Sequence, residues 1–555
     1  MTNHDFMKLG APTLADDSQL GRSELSAQAW QTLIAEHGLA DAAAMLRGGF
    51  AIGSRLPDGT ATAAVDRFAI QTLCYRVVDG RLRVAERADE LADSSTDIDP
   101  QAIFDYLYFH CIPSPRTIFK DIFRLPPGHC VEYREGRVTV SRYWLPEFSE
   151  PSTGSFDALR LEFIELLDQS VRRQLDGSKP ACFLSGGTDS STVAGLIGKV
   201  AGSPASTYSI GFEAEGYDEM AFARIAAKRF GTEHHEYYVT PDDLVRSIGM
   251  VAGAYDQPFG NSSALPAYYC AKFARDDGVT KLLAGDGGDE LFGGNSRYAL
   301  QRVFSWYRRL PSALRSGVLE PVFKPGAFKG LPVLGKGPGY INQAKIPMPD
   351  RLQMYNLLRR LGYDDVLSPG FLSRIDADSA AAQQRDIWAQ AHCALDINRT
   401  LAFDWRYTLA ESDLPKVRGT TQLAGVEVGF PLLDDDLLAF SMRLPGDFKL
   451  KGLKLRWFFK EALRGFLPDE IINKKKQGFG LPFGVWALRH DGLKRLAVDS
   501  LHSMAGRGIV RPDFIDTLLK THLPSHPGYY GEMVWILMML EQWLRQHAPT
   551  YSLGR

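Results

Sequence analysis

The chain has no apolar run approaching the roughly 20 residues that would span a bilayer. Its opening, MTNHDFMKLGAPTLADDSQLGRSE, contains no apolar signal-peptide core. That polar stretch predicts a poorly ordered start. Charge excess is also missing: 63 Lys and Arg stand against 66 Asp and Glu, a formal net charge of -3. Neither nucleic-acid binding nor attachment to a membrane surface is expected from that balance. The six cysteines, Cys74, Cys111, Cys130, Cys182, Cys270 and Cys393, are scattered without a C-x-x-C pair. Reduced thiols in a cytoplasmic protein, with no structural zinc, are the simplest expectation. There are no internal repeats and no low-complexity tracts.

What is present is length and alternation. At 555 residues, 45% hydrophobic, the chain exceeds one ordinary core and predicts at least two domains. SELSAQAWQTLIAEHG has a helical apolar period ending on a glycine stop. From Gly49 to about Trp144 short alternating runs meet at Asp-Gly and Glu-Gly pairs, as in TLCYRVVDGRLRVAERA and GHCVEYREGRVTVSRYW. Such pairs predict hairpins, hence a largely antiparallel α+β domain over residues 25–145, with DPQAIFDYLYFH as a helix. LPEFSEPSTGSFD is the predicted linker. Beyond it strands and helices alternate, predicting a parallel α/β sheet within a second domain over residues 158–548. From Tyr298 onward the pattern is mostly helical, broken by PGAFKGLPVLGKGPGY.

Two loops carry the chemistry. In ACFLSGGTDSSTVAGLIGKV an apolar strand enters a Gly-Gly turn and leaves as a Ser/Thr-rich helix start. Free backbone N–H groups and a helix dipole then favour an anion, with hydroxyls from Ser185, Thr188, Ser190 and Ser191. The lysine of a G-x-x-x-x-G-K-[ST] loop is absent, and Asp189 stands nearby instead. An acid beside phosphates makes sense when it holds Mg²⁺. KLLAGDGGDELFGG repeats the arrangement with Asp286, Asp289 and Glu290 spaced by glycine. Ordinary capping and a solvated acidic loop are the bland alternatives.

LSGGTDSS resembles the pyrophosphate loop of the ATP pyrophosphatases, which cut ATP between the α and β phosphates. YSIGFEAEGYDEMAFAR, DQPFGNSSALPAYYCAKFA, AGDGGDELFGG, DLPKVRGTTQLAGVEVGFPLLD, NKKKQGFGLPFGVW and EMVWILMMLEQWLR follow one another as in asparagine synthetases. The resemblance covers about Phe163 to Arg545. It implies a PP-loop ATP pyrophosphatase domain with a helical C-terminal region. Within it Ser185, Gly186, Gly187, Asp189 and Ser190 would grip pyrophosphate. Phe183, Leu184, Ile210, Ala284 and Gly285 would hold adenosine, and Asp189 and Asp289 would carry Mg²⁺. Lys476 would be the catalytic lysine, with Asp286 as an acidic catalytic group. Lys474 and Lys475 stay solvated charges in this reading. Glu411, Asp413, Lys416 and Glu427 are second-rank candidates.

Two departures bear on substrate. The family reads Asp-Arg where this chain has Arg418-Gly419, and Glu-Val-Arg where it has Glu427-Val428-Gly429. An arginine is thereby lost beside the substrate pocket, which argues against aspartate. The front domain resembles the second half of an Ntn-type glutaminase. Thr2 replaces the nucleophilic cysteine, and the glutamine-binding Arg and Asn-Gly segments are missing, so a truncated, degenerate glutaminase is expected.

The reading that follows is an ATP-dependent, AMP- and pyrophosphate-forming ligase that adenylates aspartate or a related small acid, or acts on a peptide. Its nitrogen would come from ammonia, a separate glutaminase or an amine of the substrate, the last being the chemistry of lasso-peptide cyclases. A non-catalytic nucleotide-binding paralogue is the alternative of another class. Association as a homodimer is compatible with either.

Overall fold

The structure, a computed structural model, describes residues 6–14, 25–150, 154–323, 337–475 and 480–553. Lys476, Thr2 and most of the Pro/Gly-rich break at 324–336 lie outside them. In chain order the front half runs β1 (Phe6–Gly10), α1 (Ala27–His37), β2 (Phe50–Arg55), β3 (Ala61–Val65), β4 (Cys74–Val78), β5 (Arg81–Ala85), α2 (Pro100–Phe109), β6 (Phe123–Arg124), β7 (His129–Arg134) and β8 (Arg137–Arg142). One sheet has the order β1-β2-β3-β7-β8, a second β5-β4-β6, and every pairing is antiparallel. The predicted hairpins form at the Asp79-Gly80 and Glu135-Gly136 turns. All four residues have positive φ, between 51° and 82°, the backbone that matches the twist of two-residue hairpins.

Within the predicted poorly ordered start, residues 6–10 and 13–14 form strands instead, while residues 1–5 and 15–24 lie outside the described residues. Residues 6–10 pair with β2 in register, Phe6 opposite Ser54 and Gly10 opposite Phe50. Five residues are too few for their alternation to stand out in sequence, and a partner 40 residues away supplies the order.

The second half opens with α3 (Phe156–Gln174) and then alternates: β9 (Ala181–Phe183), α4 (Thr188–Ala201), β10 (Ser206–Phe212), α5 (Met220–Phe230), β11 (Glu233–Val239), α6 (Pro241–Ala254), α7 (Ala264–Asp276), β12 (Lys281–Leu283) and α8 (Gly288–Phe292). Far later come α9 (Leu414–Ala424), β13 (Glu427–Gly429) and α10 (Pro527–His547). The sheet order is β11-β10-β9-β12-β13, parallel throughout. Chain direction across the sheet therefore reverses between β9 and β12. That is the switch point where open α/β sheets leave a crevice at the carboxyl ends of their strands.

Helix α10 is buried all round from Met533 to Leu544, as expected of a helix at the centre of a large core. Glu541 sits there fully buried because Arg507, Ser503 and Arg545 all donate to it. No helix among the described residues is long and apolar enough to cross a membrane. The front half packs directly on this centre. Tyr106 donates to the Ile536 carbonyl at 2.8 Å, Phe119 meets the Trp543 ring at 6.1 Å, and one continuous apolar cluster holds Ile103, Phe104, Ile248, Val534 and Trp535.

Candidate functional site

At the end of β9 the chain turns through Gly186, whose φ is 68°. A Cβ there would lie 2.4 Å from the backbone of Phe222 and Ala223, so the turn sits directly on α5 and only glycine fits. Gly187 precedes α4 without capping it by a side chain, leaving the first amides of a 14-residue helix open toward the crevice. Ser185 and Ser190 close the turn: the Ser185 amide donates to Ser190 Oγ at 3.1 Å, and the two hydroxyls are 3.0 Å apart. Gly285, on the neighbouring loop, approaches so closely that a Cβ would lie 2.8 Å from the Ser190 amide. The two loops singled out in sequence thus meet across adjacent strands. Leu184 already spends its amide on Tyr208 at 2.9 Å and its carbonyl on the Ser209 hydroxyl.

Asp189 and Asp289 also converge, and they converge on Arg456. Arg456 Nη1 donates to Asp189 Oδ2 at 2.7 Å, to Thr188 Oγ1 at 2.8 Å and to Asp289 Oδ1 at 2.9 Å; its Nη2 pairs with Asp189 Oδ1. The guanidinium lies 4.1 Å over the Phe459 ring. Burial opposes its charge, yet Asp189 and Asp289 outweigh that and raise its pKa above the usual value. Gly288 and Gly294 make the room, because a Cβ at either would strike the Asp189 or Asp289 carboxylate. No group of three or more metal-ligating side chains exists among the described residues. Two carboxylates aimed at one cation position nevertheless suit a hard divalent ion that completes its shell with phosphate oxygens.

Nothing in LRWFF announced Arg456. Its only mark is a backbone in the left-handed region, φ 53°, which turns the side chain from a hairpin into the crevice. The basic run NKKKQG also needs correction at one position. Lys474 is no solvated charge: its side chain is 9% exposed and bonded to Glu219 at 2.9 Å. Its Nζ reaches the Gly186 carbonyl at 3.5 Å. Lys475 is exposed, as expected.

Asp286 belongs to a second cluster. Lys416 Nζ lies 3.1 Å from Asp413 and 3.8 Å from Asp286. Burial pushes Asp286 up to about 6, with Lys416 pulling the other way. Burial also works against the Lys416 charge, but Asp413 and Asp286 prevail and its pKa is raised. Asp413 and Lys416 ride on a continuous helix whose middle, Trp405–Asp413, is π-helical. That wider winding is common at functional sites, and here it splits neighbouring acids between two tasks. Asp413 faces Asp286, whereas Glu411 is buried against Arg406 and the Ser114 amide and hydroxyl. Glu427 is exposed on β13. Of the second-rank candidates, only Asp413 and Lys416 join the site.

The two glycines at which the sequence resemblance leads one to expect arginine are filled from elsewhere. A Cβ at Gly429 would lie 2.5 Å from Gln174 Oε1 and 2.8 Å from Leu283 Cδ2. One at Gly419 would lie 2.5 Å from the Tyr255 ring.

Comparison with known proteins agrees with this geometry. The asparagine synthase family matches residues 162–545, and the glutamine amidotransferase domain family matches residues 20–144. Asparagine synthetase [glutamine-hydrolyzing] 1 of Bacillus subtilis is 26% identical over 518 residues, covering 91% of this chain and 78% of its own. Amidase chyE of Penicillium rubens is 24% identical, over 76% of this chain and 68% of its own. The family match over residues 162–545 takes in more than half of the chain, and the chain belongs to the asparagine synthase family of ATP-dependent, amide-forming ligases.

Proposed function

We propose that this ligase adenylates a carboxylate in the crevice between the β9 and β12 loops, releases pyrophosphate, and transfers the acyl group to nitrogen. The observation that carries the reading is the meeting of the Ser185–Ser190 cradle with the Asp286–Asp289 loop at the point where strand order reverses. The open amides of α4 and the hydroxyls of Ser185 and Ser190 bind the leaving pyrophosphate as fixed donors. Phe183, Ile210, Ala284 and Gly285 line the adenosine side. Asp189 and Asp289 would hold Mg²⁺, which supplies charge neutralisation of the phosphates when bound. Lys476 offsets charge growing on the α-phosphate. Asp286, kept beside Lys416 and Asp413, faces the reacting acid or amine and moves its proton.

The packing at position 429 favours a related acid or a peptide over aspartate itself. Gln174 occupies the space that an arginine at 429 would need, so the site offers no guanidinium there for a second carboxylate. This supports the reading in which a biosynthetic acid or peptide is joined to ammonia or to an amine of its own.

ATP–pyrophosphate exchange, screened across carboxylic acids, tests both parts. A cognate acid should drive exchange and, with its amine, yield AMP and pyrophosphate; ADP and phosphate as products would refute the mechanism. Lys476→Ala should lower turnover by at least a hundredfold while ATP still binds.

A further inference from the structure

Away from the crevice, a cavity of ≈ 210 Å³ lies between the front half and α9, walled by Thr72, Glu86, Arg124, Tyr255, Arg418 and Gln422. A single water needs only about 15 Å³ of such space. Apolar wall is supplied by Ile112, Phe259 and Leu423. The wall also carries six charged side chains, and most of them are spent. Asp256 takes Arg124 Nη2 at 2.7 Å and the Ala88 amide at 2.9 Å. Arg87 is bonded to Asp89 and to the Ala254 carbonyl, and Glu411 to Arg406 and Ser114.

Two groups are left over, Arg418 and Glu86. Arg418 donates to neutral oxygens, the Ile70 carbonyl at 3.3 Å, Gln71 Oε1 at 3.4 Å and Thr72 Oγ1. Its nearest acid, Glu86, is 3.9 Å away. Burial lowers the Arg418 pKa, and Glu86 offsets this only in part. One cation without a close carboxylate, Arg418, therefore stands in the cavity wall with one loosely held carboxylate beside it. The complement is a small molecule bearing a carboxylate and an ammonium close together.

We propose that this cavity binds a free α-amino acid, its carboxylate on Arg418 and its ammonium on Glu86. The side chain of the guest lies along Ile112, Phe259 and Leu423. Its wall holds no residue of the Ser185–Ser190 cradle or of the Asp286–Asp289 loop.

Calorimetric titration of the full chain without ATP decides it, with L-glutamine, L-glutamate, L-aspartate, L-leucine and their des-amino acids as probes. One amino acid should bind at least tenfold more tightly than its des-amino analogue. Arg418→Gln should weaken it tenfold or more, Arg418→Lys less, and Glu86→Gln should erase the preference over the des-amino acid. Should Arg418→Gln fail to fold, Leu423→Trp, which fills the cavity from its apolar side, should abolish binding. No binding by any probe at about 20 mM, or binding unchanged in Arg418→Gln or Leu423→Trp, would overturn the proposal.

Discussion

At the scale of single residues, charge is placed where something must later replace it. Arg456 neutralises Asp189 and Asp289 across the loops. Removing one partner of such a buried cluster costs about 3–5 kcal/mol, because the other charges stay behind. Arg456→Ala should therefore lower the melting temperature by several degrees, and added Mg²⁺ should raise it more in the variant than in the wild type. Equal responses to Mg²⁺ would show that the two carboxylates share no cation position. Lys449 makes a different test. It is fully buried, donates to Asn398 at 2.7 Å, and is pulled from 10.5 to about 7 by burial, with Glu150 opposing. The folded state then holds fewer protons than the unfolded one between about pH 7 and 10. Stability should rise with pH through that window, and be lost as pH falls back toward 7. Thermal melts should show this slope in the wild type and a flatter one in Lys449→Met.

The reach of sequence at this scale is uneven. Ser185, Asp189 and Asp289 were legible because glycine spacing marks a backbone that must come close to a ligand. Arg456 and Lys474 were not. Each acts through a contact with a loop more than 160 residues away in the chain, and nothing local distinguishes them from surface charges.

Among elements, the close packing of β12, β13 and α3 fixes what position 429 can carry. Gln174, the last residue of α3, fills the Cβ space of Gly429. Gly429→Ala should cost about 1–3 kcal/mol by overpacking, and Gln174→Ala should relieve most of it; chemical denaturation of the single and double variants measures the coupling. An additive double variant would refute the contact. Such filling is invisible in sequence, where the glycine looks like a simple deletion. The hairpins were readable for the opposite reason: Asp-Gly and Glu-Gly turns depend on backbone preferences of the two residues themselves. The first strand falls between, since its order comes from pairing with β2 and its own five residues give no sign of it.

For the whole molecule, the boundary between halves is covalent more than physical. Tyr106, Phe119 and Ser114 of the front half bond or stack on Ile536, Trp543 and Glu411, and the main apolar cluster runs through both halves. A fragment of residues 158–555 would expose this cluster and should be insoluble or partly unfolded. The full chain should melt in one calorimetric transition. Two separated transitions, or a well-folded fragment, would refute a common core.

That common core constrains what natural variation can discard. Chemistry in the front half can drift freely once a lineage stops relying on it, but Ile103, Phe104 and Tyr106 cannot drift with it. Selection on ligase turnover alone holds them in place. The packing of the front half is thus tied to the core that the ligase half needs, whatever chemistry the front half carries. A damaging change near residue 106 should surface as a ligase defect, whatever the nitrogen source.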